Sequence, residues 1–144
     1  MCNSLEYLKL TCYVLNSDCL ITLDPLCPNL KRIEIEELSG VGDIDDQEDV
    51  PMEIVHEIVE EIVLRNFSRK HMYIACTNLK RLIMEWGLFD DPSRSDDNLI
   101  FPTLECPQLQ CLELSGYVNM LPEIPLILLV LPSMTTLKCG FLFF

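Results

Sequence analysis

The chain has 144 residues, 49% of them apolar, with 23 acidic and 10 basic residues giving a formal charge of −13. One domain of this size can bury a substantial core. The charge excludes nonspecific nucleic-acid binding, which needs a basic footprint on phosphate, and disfavours an anionic membrane surface. The N terminus has no basic stretch leading into an apolar run, so nothing marks the chain for secretion.

In chain order, Leu5, Leu8 and Leu10 predict a first strand, the last two alternating inward at a two-residue period. Asp18 is placed to cap a short helix reaching Leu26, with Leu20, Ile21, Leu23 and Leu26 facing the strands. Cys27-Pro28 ends it, and a second strand follows over residues 32–37. From Glu34 to Glu61 the chain carries twelve acidic residues and no Lys or Arg. Residues 38–50, with two glycines and little periodicity, read as an acidic insertion. That insertion is either a solvated loop or a docking patch for a basic partner.

Pro51 sits where a helix would begin. From Met52 to about Asn66, Val55, Ile58, Val59, Ile62 and Val63 form one apolar stripe, with Glu53, Glu57, Glu60 and Glu61 on the remaining surface, predicting an amphipathic helix. A third strand is expected at residues 81–85 and a polar loop at 90–98. Phe101 to Leu104 leave no room for a helix before a fourth strand at 110–114. Ile124–Leu131 is the most apolar window, but its eight residues fall far short of the roughly 20 of a membrane span, so a buried helix is expected there. A last strand follows at 135–139.

The strands share a motif. A cap residue followed by L-x-x-L-x-L begins at Cys2, Cys27, Cys76, Cys106 and Leu131, at separations of 25, 49, 30 and 25 residues, where 49 is close to two periods. The cysteines at the cap positions suit small buried residues between layers, and no C-x-x-C or His spacing suggests a metal site. Reduced cysteines favour a cytoplasmic or nuclear location. There is no G-x-S-x-G, phosphate loop or Cys-His pair, so neither an enzyme nor a cofactor is expected.

Cys27-Pro28-Asn29-Leu30-Lys31-Arg32-Ile33-Glu34-Ile35 and Cys106-Pro107-Gln108-Leu109-Gln110-Cys111-Leu112-Glu113-Leu114 resemble the C-P-x-L-x-x-L-x-L element of leucine-rich repeats in fungal and plant F-box proteins. The resemblance implies an α/β fold in which residues 1–144 form a single leucine-rich repeat solenoid, short parallel strands lining a concave face and helices and loops the convex face. It implies a protein-protein interaction module, such as the substrate-recognition part of a ubiquitin ligase receptor, although no F-box segment is present. Plant-type immune receptors carry similar repeats and are the alternative; a truncated remnant without independent function is a third reading. Neither end carries a polar cap, and the chain closes on Phe141-Leu142-Phe143-Phe144. A fragment of a longer array is therefore expected, or ends covered by self-association.

In such a fold the residues between the strand leucines line the concave face. They include Tyr7, Lys9, Lys31, Arg32, Lys80, Arg81 and Lys138, and six of the ten basic residues are in that set. One reading is a partner-binding stripe, with Arg32 and Arg81 as bidentate donors to an acidic protein partner and Tyr7 as an aromatic anchor. The other is that these long side chains pair across strands with Glu6, Glu34 and Glu113.

Overall fold

Each L-x-L of the motif forms a strand with its leucines turned inward. The computed structural model describes residues 2–12, 26–37, 52–67, 72–87, 102–116 and 124–141. Their elements are β1 (Tyr7–Cys12), β2 (Arg32–Glu37), β3 (Met52–His56), β4 (Glu61–Phe67), β5 (Met72–Cys76), β6 (Arg81–Trp86), β7 (Thr103–Glu105), β8 (Cys111–Gly116), α1 (Ile124–Val130) and β9 (Thr136–Phe141). All strand pairs are parallel. One sheet runs β1-β2-β4-β6-β8-β9 and the other β3-β5-β7. Parallel neighbours need a crossover connection, and β3, β5, β7 and α1 lie in the four that follow β2, giving among the described residues an α/β-like arrangement of parallel strands with one helix.

The core joins the two layers. Leu30, Ile33, Ile35, Ile62, Leu64, Leu79, Leu82, Met84, Leu109, Leu112 and Leu114 from the larger sheet and the turns leading into it share one buried cluster with Ile54, Ile74 and Leu104 from the smaller and Ile127 from α1. At the cap positions, Leu30, Leu79, Leu109 and Met134 donate their backbone N–H groups to the carbonyls of Cys27, Cys76, Cys106 and Leu131. These are four-residue turns, and three carry proline in the second place, where its fixed φ suits a turn. The buried thiols of Cys76 and Cys106 donate to the carbonyls of Ile54 and Ile74, one strand of the smaller sheet earlier. Cysteine there is small and still satisfies a backbone acceptor.

The helix expected at 52–66 is not formed. Those residues make β3, a turn and β4, so the apparent gap of 49 residues contains a sixth copy of the motif. It is His56-Glu57-Ile58-Val59-Glu60-Glu61-Ile62-Val63-Leu64, with His56 buried in the cap position and Val59, Ile62 and Leu64 in the leucine positions. The separations become 29 and 20. Backbone hydrogen bonds show the phase directly: the carbonyls of Glu6, Lys31, Glu60, Lys80 and Gln110 each accept two successive N–H groups from the next unit, at 2.8–3.1 Å.

The physical reason lies in residue type and strand pairing. Ile54, Val55, Ile58, Val59, Ile62 and Val63 are β-branched, stiff at χ1 and better suited to a pleated sheet than to a helix. The thirteen residues between Phe67 and Arg81 are crossed, on the side of the smaller sheet, by Met72–Cys76 as a strand paired with β3. β7 pairs with β5 in the same way. The expectation of helices on that side therefore holds only for α1 among the described residues, and α1 is not buried as expected: Ile127 is enclosed while Leu126, Leu128, Leu129 and Val130 are exposed. The expected helix of residues 18–26 lies almost wholly outside the described residues, as do the acidic insertion 38–50, the loop 90–98 and Leu142 to Phe144.

Among the described residues, two near strand ends have positive φ. Asn66 has φ 55° and donates from Nδ2 to the Glu37 carbonyl at 2.7 Å, beside the irregularity where the β4–β6 register shifts between Leu64 and Phe67. Gly116 has φ 122°, and a Cβ there would press into the Trp86 carbonyl, so only glycine fits.

Candidate protein-interaction surface

The outward positions of the six-stranded sheet form rows set by the strand register. One row runs Tyr7, Arg32, Glu61, Arg81, Cys111, Thr136, and the next Lys9, Glu34, Val63, Ile83, Glu113, Lys138. A third begins Thr11, Glu36, Arg65 and resumes beyond the bulge as Glu85, Ser115, Gly140. At the entry to the strands, Lys31 and Lys80 lie beside Glu6 and Glu60. All seven residues singled out from the sequence therefore belong to one face or its entry edge.

Two carboxylates organise this face. Glu34 accepts the Tyr7 hydroxyl at 2.9 Å and Arg65 Nε at 3.1 Å, with Lys9 Nζ at 3.4 Å and Arg32 at 3.5 Å. Burial alone would push its carboxyl up, but the bonds from Tyr7, Arg65 and Lys9 outweigh that and hold it below the ordinary carboxylate value. Reciprocally, the bond to Glu34 raises both the Tyr7 hydroxyl and the Lys9 ammonium. The Arg32 guanidinium also lies over the Tyr7 ring, 5.1 Å from its centroid.

Glu113 is the second centre, bound by Arg81 at 2.7 Å and Lys138 at 3.1 Å. Those two bonds lower its carboxyl, and the bond to Glu113 raises Arg81. Between the centres, Glu61 faces Arg32 and Arg81, each at 3.8 Å. Arg65 reaches Glu85 at 3.4 Å and Lys9 reaches Glu36 at 3.5 Å.

The face is consequently charge-balanced, not a bare basic stripe. Lys9, Lys31, Arg32, Arg65, Lys80, Arg81 and Lys138 meet Glu6, Glu34, Glu36, Glu60, Glu61, Glu85 and Glu113. The two kinds of charge sit at different depths. Side chains of the five sheet cations keep 39–62% of their area exposed, whereas four of the five sheet carboxylates paired with them, Glu34, Glu113, Glu61 and Glu36, keep 7, 22, 25 and 34%, and Glu85 keeps 44%. A neutral total thus presents guanidinium and ammonium tips outward over a floor of carboxylates. In the middle of the second row Val63 is buried and Ile83 half-buried, an apolar interruption between the two centres.

Sequence reasoning missed Arg65, Glu61, Glu60, Glu85 and Val63 as members of this face. The signal was Val59-x-x-Ile62-x-Leu64, in phase with its neighbours but overridden by the helical stripe. Among the described residues no cluster of three or more His, Cys, Asp or Glu could hold a metal ion, and no helix is long and apolar enough to cross a membrane.

Comparison of the chain with protein-family models, with curated proteins and with solved structures returns no match.

Proposed function

We propose that the chain is a protein-binding module built as a leucine-rich repeat solenoid, with the outward face of the six-stranded sheet as its binding surface. The observation that carries this reading is the layered charge of that face: a row of exposed cations and Tyr7, fixed in place by less exposed carboxylates, of which Glu34 is buried. Side chains held by ion pairs on both sides lose little further freedom when a partner arrives, so the surface is pre-organised for recognition. Arginine and tyrosine are also residues that dominate binding energy at interfaces. As a substrate-recognition segment of an F-box-type receptor, the chain would hold a protein for ubiquitylation while a separate segment recruits the ligase.

The test is affinity capture with mass spectrometry, using wild-type chain and a variant in which Lys31, Arg32, Lys80 and Arg81 are all changed to Gln. Glutamine is preferred to glutamate because Glu at these positions would face Glu6, Glu61, Glu60 and Glu113 and destabilise the strand pairs by like-charge repulsion. A partner that is captured by the wild type and lost in the folded variant supports the reading; an unchanged set of partners overturns it. Ligase adaptor subunits among the specific partners would support the narrower receptor role.

A further inference from the structure

The second outward row is close to a palindrome: Lys9, Glu34, Val63, Ile83, Glu113, Lys138. Its two carboxylates are the centres described above, each covered by cations. Arg32, Arg65 and Lys9 gather over Glu34, and Arg81 and Lys138 over Glu113. Lys9, Arg32 and Arg65 also reach Glu36, Glu61 and Glu85, and Arg81 reaches Glu61, yet the cation side chains remain 39–62% exposed and can accept a further carboxylate from outside. Between the groups the second row itself is apolar, with Val63 buried and Ile83 half-buried.

The spacing of this pattern is fixed by the sheet. Glu34 on β2 and Glu113 on β8 are separated by three strand intervals, β2 to β4, β4 to β6 and β6 to β8. At about 4.8 Å per interval that is roughly 14 Å. An extended peptide rises about 3.3 Å per residue, so residues four apart stand about 13 Å from one another. Residues i, i+2 and i+4 of such a segment also project to the same side. A helix covers ~14 Å in nine to ten residues, which at 3.6 residues per turn puts its two acids on different faces.

Accepting the outward face as a binding surface, we infer that its partner is an extended acidic peptide segment of the pattern acid-x-apolar-x-acid, crossing the strands with its acids over the Glu34 and Glu113 centres and its apolar residue on Ile83. Charge complementarity selects the acids, the strand interval selects their separation, and the Val63–Ile83 interruption selects the residue between them. At physiological ionic strength the Debye length of about 8 Å screens the chain's distant acidic residues more than these direct contacts.

The test uses fluorescence anisotropy at 0.15 M salt with labelled peptides in which Glu-Ser-Leu-Ser-Glu is flanked by Gly-Ser. Companion peptides place the two glutamates two or six residues apart, replace both by lysine, or replace the leucine by serine. The expected result is at least tenfold tighter binding of the four-residue spacing than of either other spacing. Binding should also fall at least tenfold in Arg81→Gln/Lys138→Gln, and separately in Ile83→Ser. Circular dichroism and Trp86 emission establish that each variant is folded. Binding that depends on these residues but is indifferent to spacing overturns the peptide pattern while leaving the face as a binding surface. Binding unchanged in both variants overturns the pattern and counts against the face itself. Failure of every peptide to bind overturns the pattern, and the capture experiment then decides the face independently.

Discussion

Adjacent substitutions at Ile54 and Val55 separate the strand from the helix that the sequence first suggests. On a helix with the stripe Val55, Ile58, Val59, Ile62, Val63, Val55 is core and Ile54 lies off the stripe. On β3 the order is reversed: Ile54 is 1% exposed and belongs to the common core, whereas Val55 is 41% exposed. Truncating a fully buried isoleucine loses its transfer free energy and leaves a cavity, so Ile54→Ala is expected to cost about 2–5 kcal/mol. Val55→Ala loses little buried area and some strand preference, and is expected to cost less than about 1 kcal/mol. Urea unfolding followed through Trp86, the single tryptophan and itself buried, reports both. Equal costs at the two positions, or a larger cost at Val55, would refute β3 and with it the sixth unit.

Gly116→Ala is expected to destabilise the chain by about 1–3 kcal/mol, because its φ of 122° disfavours a side chain and the new Cβ meets the Trp86 carbonyl; denaturant midpoints measure it. Glu34 and Glu113 have carboxyls held below their ordinary value of 4.5 in the folded chain. Their contribution is therefore present above about pH 4.5 and lost as pH falls through the lowered folded values. Glu34→Gln/Glu113→Gln should accordingly narrow the stability difference between pH 7 and pH 3 relative to wild type, and an undiminished difference would place the acid sensitivity elsewhere. Alkylation mapped by mass spectrometry should label Cys2 and Cys139 in the native chain and spare the buried Cys27, Cys76 and Cys106 until unfolding. For Cys106 burial also pushes the thiol up, away from the reactive thiolate.

Much of the larger sheet was legible because the motif places apolar residues at two-residue intervals with prolines and cysteines marking the turns. Strand β2 matches its expected bounds, 32–37, and β6, β8 and β9 each lie within two residues of theirs. The unit at 56–67 was hidden by an ambiguity of short apolar runs: Val55, Ile58, Val59, Ile62 and Val63 satisfy a helical stripe, while Ile54, Val59, Ile62 and Leu64 satisfy the motif. Periodicity alone does not separate them, whereas the β-branched composition and the phase of the neighbouring units do. The strands of the smaller sheet were illegible for a different reason. Their identity rests on pairing among β3, β5 and β7, which is not a local property of Met72–Cys76 or Thr103–Glu105. The seven outward residues were legible by position, since alternation assigns them a side. Their partners were only partly so, because Arg65, Glu61 and Glu85 enter the face through the unit the helix reading concealed.

The central claim, that partners engage the outward face, is tested most directly by lysine acetylation footprinting with and without a captured partner. Lys9, Lys31, Lys80 and Lys138 all stand on that face or its entry edge, with side chains 44–62% exposed. The account predicts that acetylation at these positions slows at least several-fold in the complex, while labelling of half-buried Tyr73 and exposed Glu105 on the smaller sheet, followed in parallel with tyrosine- and carboxyl-directed reagents, is unchanged. Four lysines reacting at their free rates in a saturated complex, with protection confined to the smaller sheet or α1, would contradict it.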